Sequence, residues 1–172
     1  MDRYRKSAMD AFEKAETLVR AWLEEECITR ADVYINGLGA VEDTRCRRTA
    51  DGERRSVRID GSAGSAVNEL RGMQALPGRG AWFYSHLWME MPEGVLHQES
   101  DWMCEPDMGF DEVPLGAYKT ELDRYPRDQE FIPDWLRDKV ERWRLERGPV
   151  VARRVAHLEE EFRLEGGKYL YP

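Results

Sequence analysis

Several features that mark common functional classes are missing from this chain. It has no apolar run near the roughly 18 residues that cross a membrane. Its opening residues, MDRYRKSAMDAFEKAE, lack the apolar segment of a secretory signal. Cys27, Cys46 and Cys104 lie far apart and form no C-x-x-C pair, which disfavours a disulfide framework. We therefore expect a soluble, cytoplasmic protein whose thiols are reduced and at least half-buried.

Motifs for cofactor binding and nucleophilic catalysis are also absent. The glycine-rich stretches NGLGA and PGRG lack a P-loop lysine and the dinucleotide-binding spacing. Ser65 in AGSA lacks the second glycine of a nucleophile elbow. The net charge of −8 disfavours nucleic-acid binding, which needs a basic surface. The sequence thus predicts a non-enzymatic protein without cofactor or metal, and a basic protein is its plausible partner.

What the sequence does contain is the pattern of one α+β domain over residues 1–172. Three-and-four spacing of apolar residues predicts helices at about 7–26, 62–73, 114–125, 134–147 and 150–164. Alternation and turn residues predict strands at 31–37, 40–48, 54–60, 81–91 and 95–102. We expect an antiparallel sheet of four to five strands with helices on one face. Gly148-Pro149 predicts a helix break, with 147–172 as a C-terminal helical extension.

The hairpin around Asp51-Gly52 carries many arginines on its predicted strands. They are Arg45, Arg47, Arg48, Arg54, Arg55 and Arg58. A solvated outer sheet face explains them most simply, and a basic binding patch is the alternative.

The second hairpin, 81–102, has an unusual predicted face. One side carries core residues, namely Phe83, Leu87, Met89, Met91, Leu96 and Trp102. The other side carries Trp82, Tyr84, His86, Trp88, His97, Glu99 and Asp101. His86, His97, Glu99 and Asp101 could bind a divalent metal, which would make the chain a small metal-dependent enzyme. The same aromatic face could instead hold a homodimeric adaptor together, or simply carry polar pairs in water.

Charge is distributed unevenly along the chain. Residues 80–118 contain no Lys or Arg but eight acids, Glu90, Glu93, Glu99, Asp101, Glu105, Asp107, Asp111 and Glu112. Such a bias either solubilises an edge or captures a basic protein, with Trp88, Trp102 and Phe110 as possible aromatic anchors. As partner-binding residues we predict Trp88, Glu99, Asp101, Glu105, Asp107, Asp111 and Glu112.

The stretch from Leu70 to Leu136 resembles the centre of YezG-type immunity proteins. The first half of the motif comprises Gly78, Gly80, Ala81, Trp82, Gly94, Asp101 and Trp102. The second half comprises Tyr118, Glu121, Leu122, Tyr125, Pro126, Arg127, Pro133, Trp135 and Leu136. The resemblance implies a small α+β antitoxin that binds and occludes the C-terminal domain of a cognate polymorphic toxin, either a nuclease or an NAD-consuming enzyme.

The proline-rich corner DRYPRDQEFIPDWL, residues 123–136, belongs to that motif. We interpret it as a structural connection between helices, and a direct partner epitope is the alternative. Pro126 should end one helix, and Pro133 should occupy the first position of the next. Trp135 should pack on the core. We expect Arg127, Asp128 and Glu130 to be solvated or to cap helix ends.

Overall fold

A computed structural model of the protein describes residues 2–59, 61–109 and 112–164. The helices are α1 Asp2–Glu25, α2 Gly61–Met73, α3 Leu115–Arg124 and α4 Asp134–Leu164, with a 3-10 turn at Gln129–Phe131. The strands are β1 Arg30–Leu38, β2 Val41–Ala50, β3 Glu53–Val57, β4 Tyr84–Glu90 and β5 Leu96–Asp101. All five strands form one antiparallel sheet in the order β3-β2-β1-β4-β5. The predicted α+β fold is confirmed.

The hairpin that joins β2 to β3 turns at Asp51 and Gly52, as predicted. Both residues have positive φ, 51° and 77°. Positive φ at both central residues is typical of a type I′ turn, whose twist matches the twist of the flanking strands. This turn sets the register that places Cys46 opposite Val57.

The main core lies between one face of the sheet and the pair α1–α2. Inward side chains of β1 and β4, including Val33, Ile35, Leu87 and Met89, pack in one cluster with residues of both helices. The helical members of that cluster are Ala15, Val19, Leu23, Ala63, Ala66, Val67 and Leu70. Burying each large aliphatic side chain contributes about 1.5–3 kcal/mol, so this layer contact is the main source of stability.

A second apolar cluster lies where β1 turns into β2. It comprises Leu38, Phe83, Met108, Tyr118, Leu136 and Val140, which come from the sheet, a loop, α3 and α4. Helix α3 is tied to the β1–β2 turn because the Gly39 N–H donates to Glu121 Oε2 at 2.7 Å. Arg124 Nη1 donates to the Gly39 carbonyl at 3.2 Å. The α3–α4 pair therefore packs at one end of the sheet rather than over its face.

Two of the expected element boundaries are wrong. Strand β4 begins at Tyr84, and Trp82, predicted on the outer face, is fully buried in the main core. Residues 81–83 lie outside the strand ladder, so the strand alternation does not apply to them, and the Trp82 indole N–H donates to Gln74 Oε1 at 2.8 Å. The predicted break at Gly148-Pro149 is also absent, since α4 runs continuously from Asp134 to Leu164. Proline removes one hydrogen bond from such a helix without necessarily ending it.

The proline corner contains a buried charge network. Glu121 bridges two arginines, with Oε2 at 2.7 Å from Arg71 Nη2 and Oε1 at 3.4 Å from Arg127 Nη2, and all three side chains are fully buried. A Cβ on Gly37 would overlap Arg71 Nε, and a Cβ on Gly80 would lie 2.6 Å from Arg127 Nε. The two glycines therefore make room for the guanidinium groups.

Arg127 is thus not solvated, and that expectation is wrong. Its guanidinium donates to the carbonyl oxygens of Ala81 and Trp102 and lies over the Phe83 ring at 4.1 Å. Burial lowers the pKa of Arg127, against the opposing effect of Glu121. These acceptors come from residues far away in the sequence, so no local pattern marks the site.

The rest of the corner follows the structural interpretation. Helix α3 ends at Arg124, just before Pro126, and Pro133 stands immediately before α4 rather than at its first position. Asp128 and Glu130 are exposed. Trp135 packs edge-on against Phe83 with ring centroids 4.8 Å apart. The corner is a rigid connection between two helices, built around Arg127.

Candidate functional site

The side chains that point away from α1 and α2 form what we call the outward face of the sheet. Most of them are exposed or half-exposed. Strand alternation and register place them side by side across all five strands. They are Asp32, Tyr34 and Asn36 on β1; Asp43, Arg45 and Arg47 on β2; Arg54 and Ser56 on β3; Tyr84, His86 and Trp88 on β4; and His97, Glu99 and Asp101 on β5.

Four rings stack in one continuous line across the outward face, and we call this line the aromatic row. Tyr34 stacks on His86 with centroids 4.5 Å apart and planes 10° apart. His86 lies 4.9 Å from Trp88, and Trp88 lies 5.1 Å from His97 at an interplanar angle of 13°. Each inner ring therefore packs against two other rings, and all four rings are partly exposed. Rings held in this way form a preorganised surface that suits a protein contact.

A buried carboxylate fixes one end of the aromatic row. Asp32 is only 2% exposed. It accepts hydrogen bonds from Arg30 at 2.8 and 3.0 Å, lies 3.1 Å from His86 Nε2, and is 3.5 Å from Arg54. Burial alone would raise the pKa of Asp32, but the hydrogen bonds from Arg30 and His86 outweigh it and lower the pKa. Asp32 therefore joins β1, β3 and β4 on the outward face as an ionised group.

Two predicted partner-binding acids lie on β5 beside the row. Glu99 is exposed and stands directly opposite His86, as the sequence predicts. Asp101 stands opposite Tyr84, and its Oδ1 accepts the backbone N–H groups of Met103 and Cys104 at 2.7 and 3.1 Å. Asp101 therefore begins the following loop as well as adding charge to the face.

The other predicted acids lie in or after the loop of residues 102–109, which we call the acidic loop. Asp107 lies 3.3 Å from Arg45, and the Gly109 N–H and Arg45 together lower the pKa of Asp107. Glu105 lies 3.9 Å from Lys139 of α4. Glu112 is exposed beside a cleft of about 420 Å³, while Asp111 and Phe110 lie outside the described residues. Residues 80–118 contain no Lys or Arg, but Arg45 of β2 and Lys139 of α4 lie beside the acids of this segment in the folded protein.

The acidic loop is held to the sheet and helices at several points. The Asp107 N–H donates to Asn36 Oδ1 at 3.1 Å, and the Trp135 indole N–H donates to the Met103 carbonyl at 2.7 Å. Arg127 donates to the Trp102 carbonyl at 3.1 Å. A loop fixed in this way loses little conformational entropy when a partner binds.

The metal-site alternative gains nothing from these contacts. Among the described residues, no group of three or more His, Cys, Asp or Glu side chains is arranged to hold a metal ion. His86 uses Nε2 for Asp32, while His97 stacks on Trp88 and lies 3.7 Å from Glu93. The four residues share a face, but His86, His97 and Asp101 direct their polar atoms to other contacts.

The thiols differ from one another in access. Cys46 is buried and Cys104 is half-buried, as expected, and burial raises the pKa of each to about 11. Cys27 is exposed, against expectation, because it stands at the end of α1 with a positive φ of 52°. Neither Cys46 nor Cys104 resembles an activated nucleophile, which needs a lowered pKa.

Sequence reasoning missed three contributors on β1, namely Asp32, Tyr34 and Asn36. The signal was available, since these alternate positions in ADVYING place three polar or aromatic side chains on one face. Their partners on β4 and in the acidic loop could not be read from that segment alone.

No protein-family model matches the chain, and no curated protein matches it significantly. Within the described ranges, no helix is long and apolar enough to cross a membrane.

Proposed function

We propose that the chain is an immunity protein of the cytoplasm that binds the toxic domain of a cognate polymorphic toxin and occludes it without catalysis. The observation that carries the proposal is the aromatic row, a set of four packed and half-exposed rings on the outward face, beside acidic β5 and the acidic loop. Buried aromatic anchors surrounded by charge are the usual centre of a tight protein interface.

The resemblance to YezG-type immunity proteins gains physical support from the contacts of the motif. Gly80 leaves space for Arg127, Ala81 accepts its hydrogen bond, and Glu121 pairs with it. The Trp82 carbonyl accepts from Arg71, which pairs with the same glutamate. Motif residues from both halves thus form one buried unit, as expected if they were selected together.

The proposed inhibition combines an anchor with electrostatic steering. Trp88, at the centre of the row, would enter a pocket of the toxin domain. Glu99, Glu105 and Glu112 would face basic residues around its active-site cleft. A field of this kind accelerates association by about 10- to 1000-fold when the partner is basic. For a nuclease the acids would replace the polyanionic substrate, whereas for an NAD-consuming enzyme the block would be steric.

The first experiment isolates the partner and tests the anchor. The tagged protein is recovered from its native host, and bound proteins are identified by mass spectrometry. We expect one dominant partner, a multidomain protein with a basic C-terminal domain. Against that purified domain, Trp88→Ala should weaken binding by at least about 30-fold. Trp143→Ala, on α4 away from the outward face, is the matched control. Equal effects of the two variants would contradict the proposal.

A second experiment tests the acids by reversing their charge. Glu99→Lys combined with Glu105→Lys should slow association about tenfold at low salt, with little change in dissociation. The difference should shrink as ionic strength rises from about 0.1 M to about 1 M and the screening length falls from about 10 Å to about 3 Å. Glu24→Lys with Glu25→Lys makes the same charge change on α1. Asp101 is left intact because its carboxylate holds the acidic loop.

Self-association is the alternative that the exposed aromatic row also favours. A homodimer through this row would bury Trp88 in the free protein. Light scattering at several concentrations distinguishes the two, since our proposal expects a monomer that becomes a heterodimer with the toxin domain. A stable homodimer that Trp88→Ala dissociates would favour the adaptor instead.

A further inference from the structure

The arginine-bearing half of the outward face forms a groove of about 830 Å³. The toxin-binding proposal does not use its arginines, although the groove shares Tyr34 and the acidic loop with that proposal. Its floor includes Tyr34 on β1, Arg47 on β2, Tyr84 on β4 and Arg58 just after β3. One wall is the acidic loop, which contributes Glu105 and Asp107. The groove therefore carries positive charge on its floor and negative charge along one side.

Arg47 is the group on this floor that is best placed to take a ligand. It is exposed, and among the described residues it has no carboxylate within ion-pair distance. It stands directly opposite Asp32, but that carboxylate is already bound by Arg30 and His86. Arg47 lies over the Tyr34 ring, with its guanidinium carbon 6.0 Å from the ring centroid. An arginine with five donors and an open side favours a carboxylate or phosphate ligand.

The surroundings of Arg47 distinguish between those two ligands. A nucleic acid carries a phosphate at every residue, and some of its phosphates would meet Glu105 and Asp107. One face of the Tyr34 ring is also already stacked on His86, which leaves less aromatic surface on which a base could stack. An extended peptide suits both the arginine floor and the acidic wall of the groove. Its acidic side chains can pair with arginine, and its backbone N–H groups can donate to the carboxylates of the acidic loop.

We propose that this groove binds an extended acidic peptide segment, with a carboxylate of the peptide on Arg47 and its backbone N–H groups toward the acidic loop. The assignment does not depend on the immunity function, because it concerns the arginines of the groove rather than Trp88 and the acids of β5. A protein partner that carries such a segment would contact both halves at once, which raises specificity because both signs of charge must match.

The test uses a fluorescent peptide in which glutamate alternates with threonine, with anisotropy as the readout. We expect binding at or below about 1 mM at low salt. Arg47→Glu should lower the affinity about tenfold or more, because it replaces a charge-assisted hydrogen bond by repulsion. Arg55→Glu, on β3 with its side chain on the opposite face, should lower it less than about twofold, since rim charges away from a site contribute little.

Two further probes complete the design. A peptide in which lysine replaces glutamate should not bind the groove, and oligothymidylate should bind more weakly than the acidic peptide. Amide chemical shifts of Tyr34, Ser56 and Tyr84 should move on titration of the acidic peptide. The proposal is overturned by no binding of that peptide at about 1 mM, by equal losses in the two arginine variants, or by preferred binding of either other probe. None of these results bears on whether Trp88 anchors a toxin.

Discussion

Replacing Glu121 by glutamine tests the buried charge network directly. The substitution keeps the shape of the side chain but removes the carboxylate that contacts both Arg71 and Arg127. The carboxylate also accepts the Gly39 N–H. The NH2 group of glutamine would therefore face other hydrogen-bond donors and could not accept from them. Two guanidinium groups would then remain in a dry interior without the charge that compensates them.

The expected magnitude follows from the complete burial of the three side chains. Removing one partner of a buried ion pair costs about 3–5 kcal/mol, since the remaining charge is left uncompensated. Domains of this class have a free energy of unfolding of about 5–15 kcal/mol, so the variant should lose about a fifth or more of its stability. At about 2–4 °C per kcal/mol for a chain of this size, Tm should fall by about 6–20 °C.

Urea unfolding followed by tryptophan fluorescence measures this loss, and Glu105→Gln is the matched control. Glu105 is half-exposed and lies 3.9 Å from Lys139, so its neutralisation should cost at most about 1 kcal/mol. A Glu121→Gln variant as stable as Glu105→Gln would refute the assignment of these groups as a coupled buried network.

Three further predictions concern stability and access. Asp32→Asn should lower the stability of the protein above about pH 4, the unfolded pKa of aspartate. Because the folded pKa of Asp32 is lowered, the stabilisation by its carboxylate is present above the unfolded pKa and is lost as pH falls through the folded one, so the stability difference between wild type and variant should close. Thermal melts at several pH values measure this difference, and a constant difference down to pH ~2 contradicts the prediction. Gly37→Ala should cost about 1–3 kcal/mol through overlap with a buried guanidinium, whereas Gly72→Ala, on α2 with ordinary contacts, should be neutral or stabilising in urea unfolding. Iodoacetamide at neutral pH should alkylate exposed Cys27 well before buried Cys46, and mass spectrometry of the native protein would show the reverse order if the thiol assignment is wrong.

Periodicity and turn chemistry were sufficient to predict most of the fold. The stripe of α1, the alternation of β1 and the Asp51-Gly52 turn are local patterns whose causes lie within a few residues. The expectations that failed depended on distant contacts. Trp82 is buried because residues 81–83 stand outside the ladder, and Arg127 is buried because Ala81, Trp102 and Glu121 supply its acceptors.

The candidate site was predictable only in part for the same reason. The acidic bias of residues 80–118 is a property of one segment, and Glu99 opposite His86 follows from the hairpin. The cations that meet the acidic loop come from outside that segment, namely Arg45 on β2 and Lys139 on α4. Tyr34 joins the aromatic row because β1 and β4 are neighbours, and strand order could not be derived from the sequence.

The proline corner connects the buried charge network to the candidate site. Arg127 donates to the Trp102 carbonyl and Trp135 donates to the Met103 carbonyl, so the corner holds the first residues of the acidic loop. From the sheet side, Asp101 accepts N–H groups of the same loop. A motif that reads as a helix connection therefore also fixes the position of charges beside the aromatic row. In the proposed function, residues that never touch the partner would thus be required for recognition, because they set the geometry of those that do.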